Sequence, residues 1–471
     1  MDYITKLKNE TCECDDIIYK DIEIGNNLVN LISIETIASS TDINNFILKK
    51  ISFLDKLRSD DLEDYLYNYL PAASTKRLND YDALKDKLFN GFTILIINNQ
   101  NILAIETRRD LTRGVSEADY EKTIIGPKDA FIEHYNTNLG LIRRRIKNAN
   151  LHIKTINLGR YTKTKVGITY INGICKKELA NDIEKKLKKI DIDGIIDSNY
   201  LKRYLNKSKS LFPTLKSTER PDLASISLLE GKIILIVDNS PEVLILPTFF
   251  IDFFHTSDDY YQKQLNISFI RIIRLIAFII SIFLPAIYVA LTTHNPDSMP
   301  INLLLSFQSQ RLSVPFPAFI EAILMIIAFE ILRESDVRIP SSMGTAISIL
   351  GGLVLGDAAV NAGIVSPIMI IVIAISAISG MLIQSIEAVN SIRWYRFILI
   401  ILASMLGYYG IFLGIILILT NLSDTKSEDK DYLYPFAPIN INEQKDGFVK
   451  IPSKDKKYRN PVLSDNKIRG R

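Results

Sequence analysis

The chain has 471 residues, 47% of them hydrophobic and 23% charged, with a mean hydropathy of +0.13. That length allows two or three domains, and the values match the soluble average. They exclude a disordered, collagen-like or disulfide-stapled chain and, taken whole, argue against a membrane protein. Fifty-six basic residues against 53 acidic ones leave a net charge of +3, which gives no basic surface of the kind nucleic acid requires.

The average conceals two materials. Leu275 to Leu422 carries 12 of the 109 charged residues, about 8% of its length, against about 30% elsewhere, and no lysine lies between Lys263 and Lys426. The expected class is therefore an α/β (α+β) two-lobed soluble N-terminal domain followed by an all-α polytopic membrane domain. Three cysteines suit a reducing compartment, and the N-terminal stretch shows no apolar signal-peptide core.

In chain order, residues 1–25 read as a mobile tail. Cys12 and Cys14 within it are one C-x-C pair, without the four ligands a zinc site needs. Residues 26–150 form a first α/β subdomain. Phe92–Ile97 and Ile102–Glu106 flank an asparagine-rich turn and read as a hairpin, and Pro127 opens a helical stretch. Residues 151–265 form a second. Its strands 232–237 and 243–247 surround a turn at 238–242, and a short helix runs from Pro221 to Glu230, with Pro at its start and Gly231 after its end.

The apolar runs then begin at 275–291, 318–332, 343–355, 364–386 and 397–419, and residues 423–471 form a basic tail. Arg271, Arg274, Arg333 and Arg338 mark the inner side by the positive-inside rule. A cytoplasmic N-domain and a cytoplasmic tail require an even number of crossings. The transmembrane domain, 266–422, is thus expected to have about four spans, with the glycine-rich segment 343–363 re-entrant or interfacial.

No nucleotide, metalloprotease or nucleophile-elbow motif appears, so neither an enzyme nor a cofactor or metal site is indicated. Acids in an apolar segment tend to face a bundle interior or a water path. Asp357 is the acid placed best for burial, whereas Glu330 has an interfacial pairing with Arg333 or Arg338 open to it, and Glu321 follows Pro315-Phe316-Pro317. Thr345, Ser348, Gly352 and Gly356 recur at steps of three and four, ahead of Asp357 and Asn361. Such a stripe permits close helix packing, the more frequent outcome, or lines a narrow pore built from several copies. Arg143, Arg144 and Arg145 read either as an ion-paired face between the subdomains or as a contact for an acidic partner or anionic lipid.

The ordered set Gly126-Pro127-Lys128-Asp129-Ala130-Phe131, Leu141-Ile142-Arg143-Arg144-Arg145, Glu219-Arg220-Pro221-Asp222, Asp259-Tyr260-Tyr261, Pro315-Phe316-Pro317 with Glu321, and Glu330-Ile331-Leu332-Arg333-Glu334 resembles the A subunits of GerA-type spore germinant receptors over about 110–425. Two departures stand out: Ile125 replaces the usual arginine before Gly-Pro, and Asp357 and Asn361 stand where the family usually carries glutamine and glutamate. The resemblance implies a multi-pass protein of the spore inner membrane that starts germination. Such a subunit acts with a transporter-like B subunit and a lipoprotein C subunit, as a homo-oligomeric ion channel among membrane lipids. A SpoVAF-type paralogue, or a non-conducting scaffold of the receptor, fits the same residues.

Overall fold

A computed structural model of the chain describes residues 3–11, 14–25, 27–51, 59–72, 74–110, 118, 121–206, 210–338, 352, 354, 356–440, 447, 449–450, 458–464 and 468. Two compact units divide it. The first joins Met1–Lys207, Leu215–Thr248 and Pro452–Arg471; the second joins Ser208–Thr214 and Phe249–Ile451.

The first unit holds two five-stranded sheets. One is built from β1 (Ile17–Ile24), β2 (Asn27–Ile34), β3 (Thr75–Leu78), β4 (Phe92–Ile97) and β5 (Asn101–Glu106), in the spatial order β1-β2-β4-β5-β3. The other is built from β6 (Leu151–Leu158), β7 (Thr164–Ile171), β8 (Lys216–Thr218), β9 (Ile233–Val237) and β10 (Val243–Leu246), in the order β6-β7-β9-β10-β8. Both are antiparallel throughout. The two orders are the same topology used twice, with helices entering at corresponding points: α2 (Ser59–Tyr69) and α3 (Tyr81–Phe89) in the first, α5 (Lys177–Lys188), α6 (Ser198–Leu205) and α7 (Pro221–Leu229) in the second.

The central strands are apolar on both faces because both faces are covered. In β4, Ile94 and Ile96 enter one core and Leu95 and Ile97 another; in β9, Ile234 and Ile236 enter the first core while Leu235 and Val237 enter a third. The first core is common to both sheets. Its helical layer comes from α1 (Tyr3–Glu10), α3, α4 (Tyr135–Arg145) and α7, through residues such as Leu7, Leu84, Leu139 and Leu228. The two expected lobes therefore share one interior.

Several expectations are corrected. Residues 1–25 are not a tail: Leu7 is fully buried and β1 pairs with β2 over eight residues. Lys20, Asp21 and Glu23 make β1 look soluble because it is an edge strand with one open face. The helix expected from Pro127 starts at Tyr135, where the His134 ring accepts from the Thr137 amide at 3.3 Å. Residues 423–471 are not one free tail. Tyr432 is buried in the second unit, and its carbonyl accepts from the Phe250 amide at 2.9 Å. Leu463 is buried in the first unit, and its carbonyl accepts from the Lys176 amide at 3.1 Å.

The second unit is helical: α8 (Gln264–Thr293), α9 (Ile301–Arg311), α10 (Ala318–Arg338), α11 (Pro367–Met381), α12 (Ile386–Leu406) and α13 (Tyr408–Asp424). By length and apolar composition α8 and α12 are each able to cross a membrane, and α11 and α13 are shorter apolar helices. The run 397–419, read as one span, breaks at Gly407 (φ 60°), which turns α12 into α13.

Side-chain contacts set the helix directions. His294 and Asn295, after α8, meet Ser404 and Tyr408 at the end of α12 (2.7 and 3.1 Å), so α8 and α12 are parallel. Tyr395 reaches Asn421 at 3.0 Å, so α13 returns alongside α12. Glu321 and Ser366 meet at the starts of α10 and α11, while Ser376 of α11 reaches back to Ser281 of α8. The starts of α8 and α12 and the finishes of α10, α11 and α13 thus share one end of the bundle, where Leu211 accepts from Ser391. We call this end proximal. α10 finishes proximally and α11 starts at the opposite, distal end, so the chain between them joins opposite ends. The segment expected to be re-entrant or interfacial is 343–363. Most of that segment lies outside the described residues.

Candidate functional site: buried ion pairs and a polar helix face

The three consecutive arginines on α4 point in three directions, as the 100° step between neighbouring helical residues demands. Arg143 is fully buried and donates from Nε and Nη2 to both Asp16 oxygens at 2.9 and 2.8 Å. Arg145 pairs with Asp129 at 2.6 Å, and Arg144 is exposed. Two of the three thus act inside the first unit, leaving only Arg144 facing solvent. Cys14, next to this pair, is buried and lies 3.3 Å from the Leu151 carbonyl; burial pushes its thiol up to about 11. It is a protonated packing residue, and Cys12 lies outside the described residues.

A second cluster sits where the second unit enters α8. Asp259 is buried and accepts from Arg271 Nε at 2.9 Å and from Arg274 Nη1 at 3.0 Å. Arg271 and Arg274 are one turn apart, so both reach one carboxylate. Burial alone raises this carboxyl, but the guanidiniums of Arg274 and Arg271 outweigh it and hold it below the usual carboxylate range. Arg271 also donates to the Gly447 carbonyl at 2.9 Å. The ion pairs therefore anchor the first turns of α8 to the segment before it.

Within the helical bundle the most enclosed acid of those expected is Glu321, not Asp357. Glu321 is fully buried, accepts from the Ser366 amide and hydroxyl at 2.9 Å each, and faces Arg311 at 3.3 Å. It caps the start of α11, where unpaired amides favour an anion. Glu330 is mostly buried and meets Arg333 and Arg393 at 3.2 and 3.1 Å. Arg311, Arg393 and Ser366 were not marked by the sequence patterns. The available signal was that arginines are scarce in this stretch, so each one there has a specific partner.

Asp357 is exposed on the helical segment 356–361, and the Asn361 amide donates to it at 3.0 Å. Ala359 of the same segment packs against the bundle core. A Cβ added at Gly352 or Gly356 meets nothing within 4 Å, so among the described residues nothing packs against these two positions. Thr345 and Ser348 lie outside the described residues. Among the described residues no group of His, Cys, Asp and Glu is arranged to hold a metal ion.

The chain matches the family described as Bacillus/Clostridium GerA spore germination protein over residues 5–462. It is 36% identical to spore germination protein KA of Bacillus subtilis (strain 168), covering 99% of this chain and 87% of that protein. It is also 36% identical to the uncharacterized membrane protein YfkQ of the same organism, covering 93% of this chain and 86% of that one. The solved N-terminal domain of the A subunit of the Bacillus megaterium spore germinant receptor GerK3 is 28% identical with a TM-score of 0.40, covering 52% of this chain and 94% of that one. The match runs through both units of the fold, and the chain belongs to the GerA family of spore germination proteins.

Proposed function

We propose that this chain is the A-type subunit of a nutrient germinant receptor, that its helical unit crosses the spore inner membrane, and that several copies enclose an ion path lined by residues 345–361. The observation that carries the reading is the Asp357–Asn361 pair. An ionisable group on the outer surface of an apolar bundle is costly against lipid, and a second copy or a water path removes that cost. The open space beside Gly352 and Gly356 supports the same reading, because backbones of neighbouring copies approach closely where a helix carries no side chain.

The reading keeps the even number of crossings expected from the sequence, and the described helices α8, α10, α11, α12 and α13 run between the two ends of the bundle. An even number returns the chain to the side it left, where Leu463 and Ser464 are buried in the first unit. Arg271, Arg274, Arg333 and Arg393 gather proximally, so the positive-inside rule puts that end and the first unit in the cytoplasm. The B and C subunits would be its partners. YfkQ, equally similar and named only as a membrane protein, favours a second reading: a membrane protein of the spore acting outside a nutrient-sensing trio, or a non-conducting scaffold.

The test is monovalent-cation flux through the complex reconstituted in liposomes. Gly352→Phe and Asp357→Leu are expected to abolish or strongly alter flux while leaving the chain folded. Unchanged flux with both variants, or no flux from the complete wild-type complex, refutes the channel.

A further inference from the structure

Arg333, Arg393 and Arg396 lie between the proximal end and the middle of α10 and α12, and one carboxylate, Glu330, is shared by the first two. The Nε of Arg393 is buried and has no hydrogen-bond partner. Arg396, one turn further along α12, is 6% exposed and donates only to Ser281, to its carbonyl at 2.8 Å and its hydroxyl at 3.2 Å. Its charged neighbours are Glu330 and Arg393, so among the described residues no carboxylate pairs with it directly. Two positive charges remain uncompensated among these residues, in surroundings where a lone charge is costly.

The surface beside the cluster indicates what compensates them. Trp394, the single tryptophan of the chain, adjoins Arg393 and is 59% exposed. Indole rings prefer the headgroup level of a bilayer. From Trp394 an exposed apolar stripe runs distally along α12 through Ile398, Ile401 and Met405, at helical spacing. A cationic pocket, an interfacial ring and an apolar track follow one another in the order of a phosphate, a glycerol backbone and an acyl chain. We propose that Arg333, Arg393 and Arg396 form a site for the phosphate of an anionic glycerophospholipid of the proximal leaflet, its acyl chain lying along Trp394, Ile398, Ile401 and Met405. The proposal rests on the membrane placement of the helical unit.

Trp394 makes the test direct, because all tryptophan emission reports this position. Full-length protein is delipidated in non-ionic detergent and mixed with phosphatidylglycerol or phosphatidylcholine carrying brominated chains, which quench the ring on contact. Phosphatidylglycerol is expected to quench at concentrations roughly tenfold lower, as uncompensated arginines at a headgroup imply. Arg333→Gln and Arg393→Gln, both at partly exposed side chains, are expected to remove most of that preference, and Arg393→Lys to keep part of it. Circular dichroism checks that each variant is folded. Equal quenching by the two lipids, or an unchanged preference in the Gln variants, overturns the site while leaving the membrane placement intact. Displacement of phosphatidylglycerol by millimolar inorganic phosphate assigns the pocket to a free anion and overturns the lipid. Quenching by neither lipid overturns the site together with the membrane placement.

Discussion

Removing the carboxylate of Asp16 is expected to be among the most damaging single changes in the first unit. The Arg143 side chain is 0% exposed and that of Asp16 3%. Two charge-assisted hydrogen bonds join them, and Arg143 also donates to the Asn148 carbonyl at 3.1 Å. Asp16→Ala leaves the guanidinium enclosed without its counter-charge. Such a loss costs about 3–5 kcal/mol, or roughly 200- to 5,000-fold in the opening equilibrium of the surrounding structure. The assay is hydrogen exchange of the α4 and β1 amides in the full-length protein, since a single unfolding free energy is poorly defined for a chain of two units. A second variant isolates the charge. Asp16→Leu combined with Arg143→Met replaces the pair by apolar volume, and much of the protection is expected to return. Protection of α4 within tenfold of wild type in Asp16→Ala, or a double variant no better than the single one, refutes the account.

Two further outcomes follow from the geometry. Because the folded Asp259 carboxyl lies below its unfolded value of about 3.9, its contribution is complete above that pH and is lost as pH falls through the folded value. Asp259→Asn is therefore expected to speed exchange of the first turns of α8 at neutral pH, and the difference from wild type is expected to shrink once pH falls below about 4 and to vanish only below the folded value; a pH-independent difference contradicts this. In the α12–α13 hairpin, a Cβ on Gly410 would stand 2.0 Å from the Leu402 carbonyl oxygen, whereas one on Gly414 would stand 2.2 Å from the tip of the Leu399 side chain. Backbone yields less than a rotamer, so Gly410→Ala is expected at or above the top of the usual range of about 1–3 kcal/mol for overpacking and Gly414→Ala near its bottom. Thermal inactivation in detergent ranks the two, and the reverse order refutes the reasoning.

The parts of the fold legible in the sequence are those where a period and a punctuating residue agree. β4 and β5 meet at Asn98 and Asn99, both with positive φ, and β9 and β10 at Asn239; these are turn residues by their own chemistry. Pro221 opens α7 in the same way. The N-terminal strand was hidden because an edge strand alternates charged and apolar residues as a solvated segment does. The helix reversal at Gly407 was hidden because α12 and α13 are apolar on both sides of it, and hydropathy does not report direction. Among the acids, sequence spacing favoured Asp357 for burial, but enclosure depends on which helix ends meet. The start of α11 closes over Glu321, and only tertiary contacts determine that. Arg393 and Arg396 are illegible for a similar reason: two arginines three apart in an apolar run look like a boundary marker until their partners on α8 and α10 are known.

The shared interior of the two sheets imposes an order on biosynthesis. β4 and β5 leave the ribosome early, but the face they turn toward the common core stays uncovered until α7, β9 and β10 have followed. Leu463, buried beside Gly231 and Lys176, arrives only after the whole helical unit has been made. At bacterial elongation rates the roughly 220 residues between β10 and that segment take about 10–40 s. During that interval the nascent first unit lacks this residue while the hydrophobic helices are being synthesised. A ribosome that stalls in the helical region therefore leaves a soluble half that is folded in outline but still open at the site of Leu463, available to chaperones and proteases that screen incomplete chains.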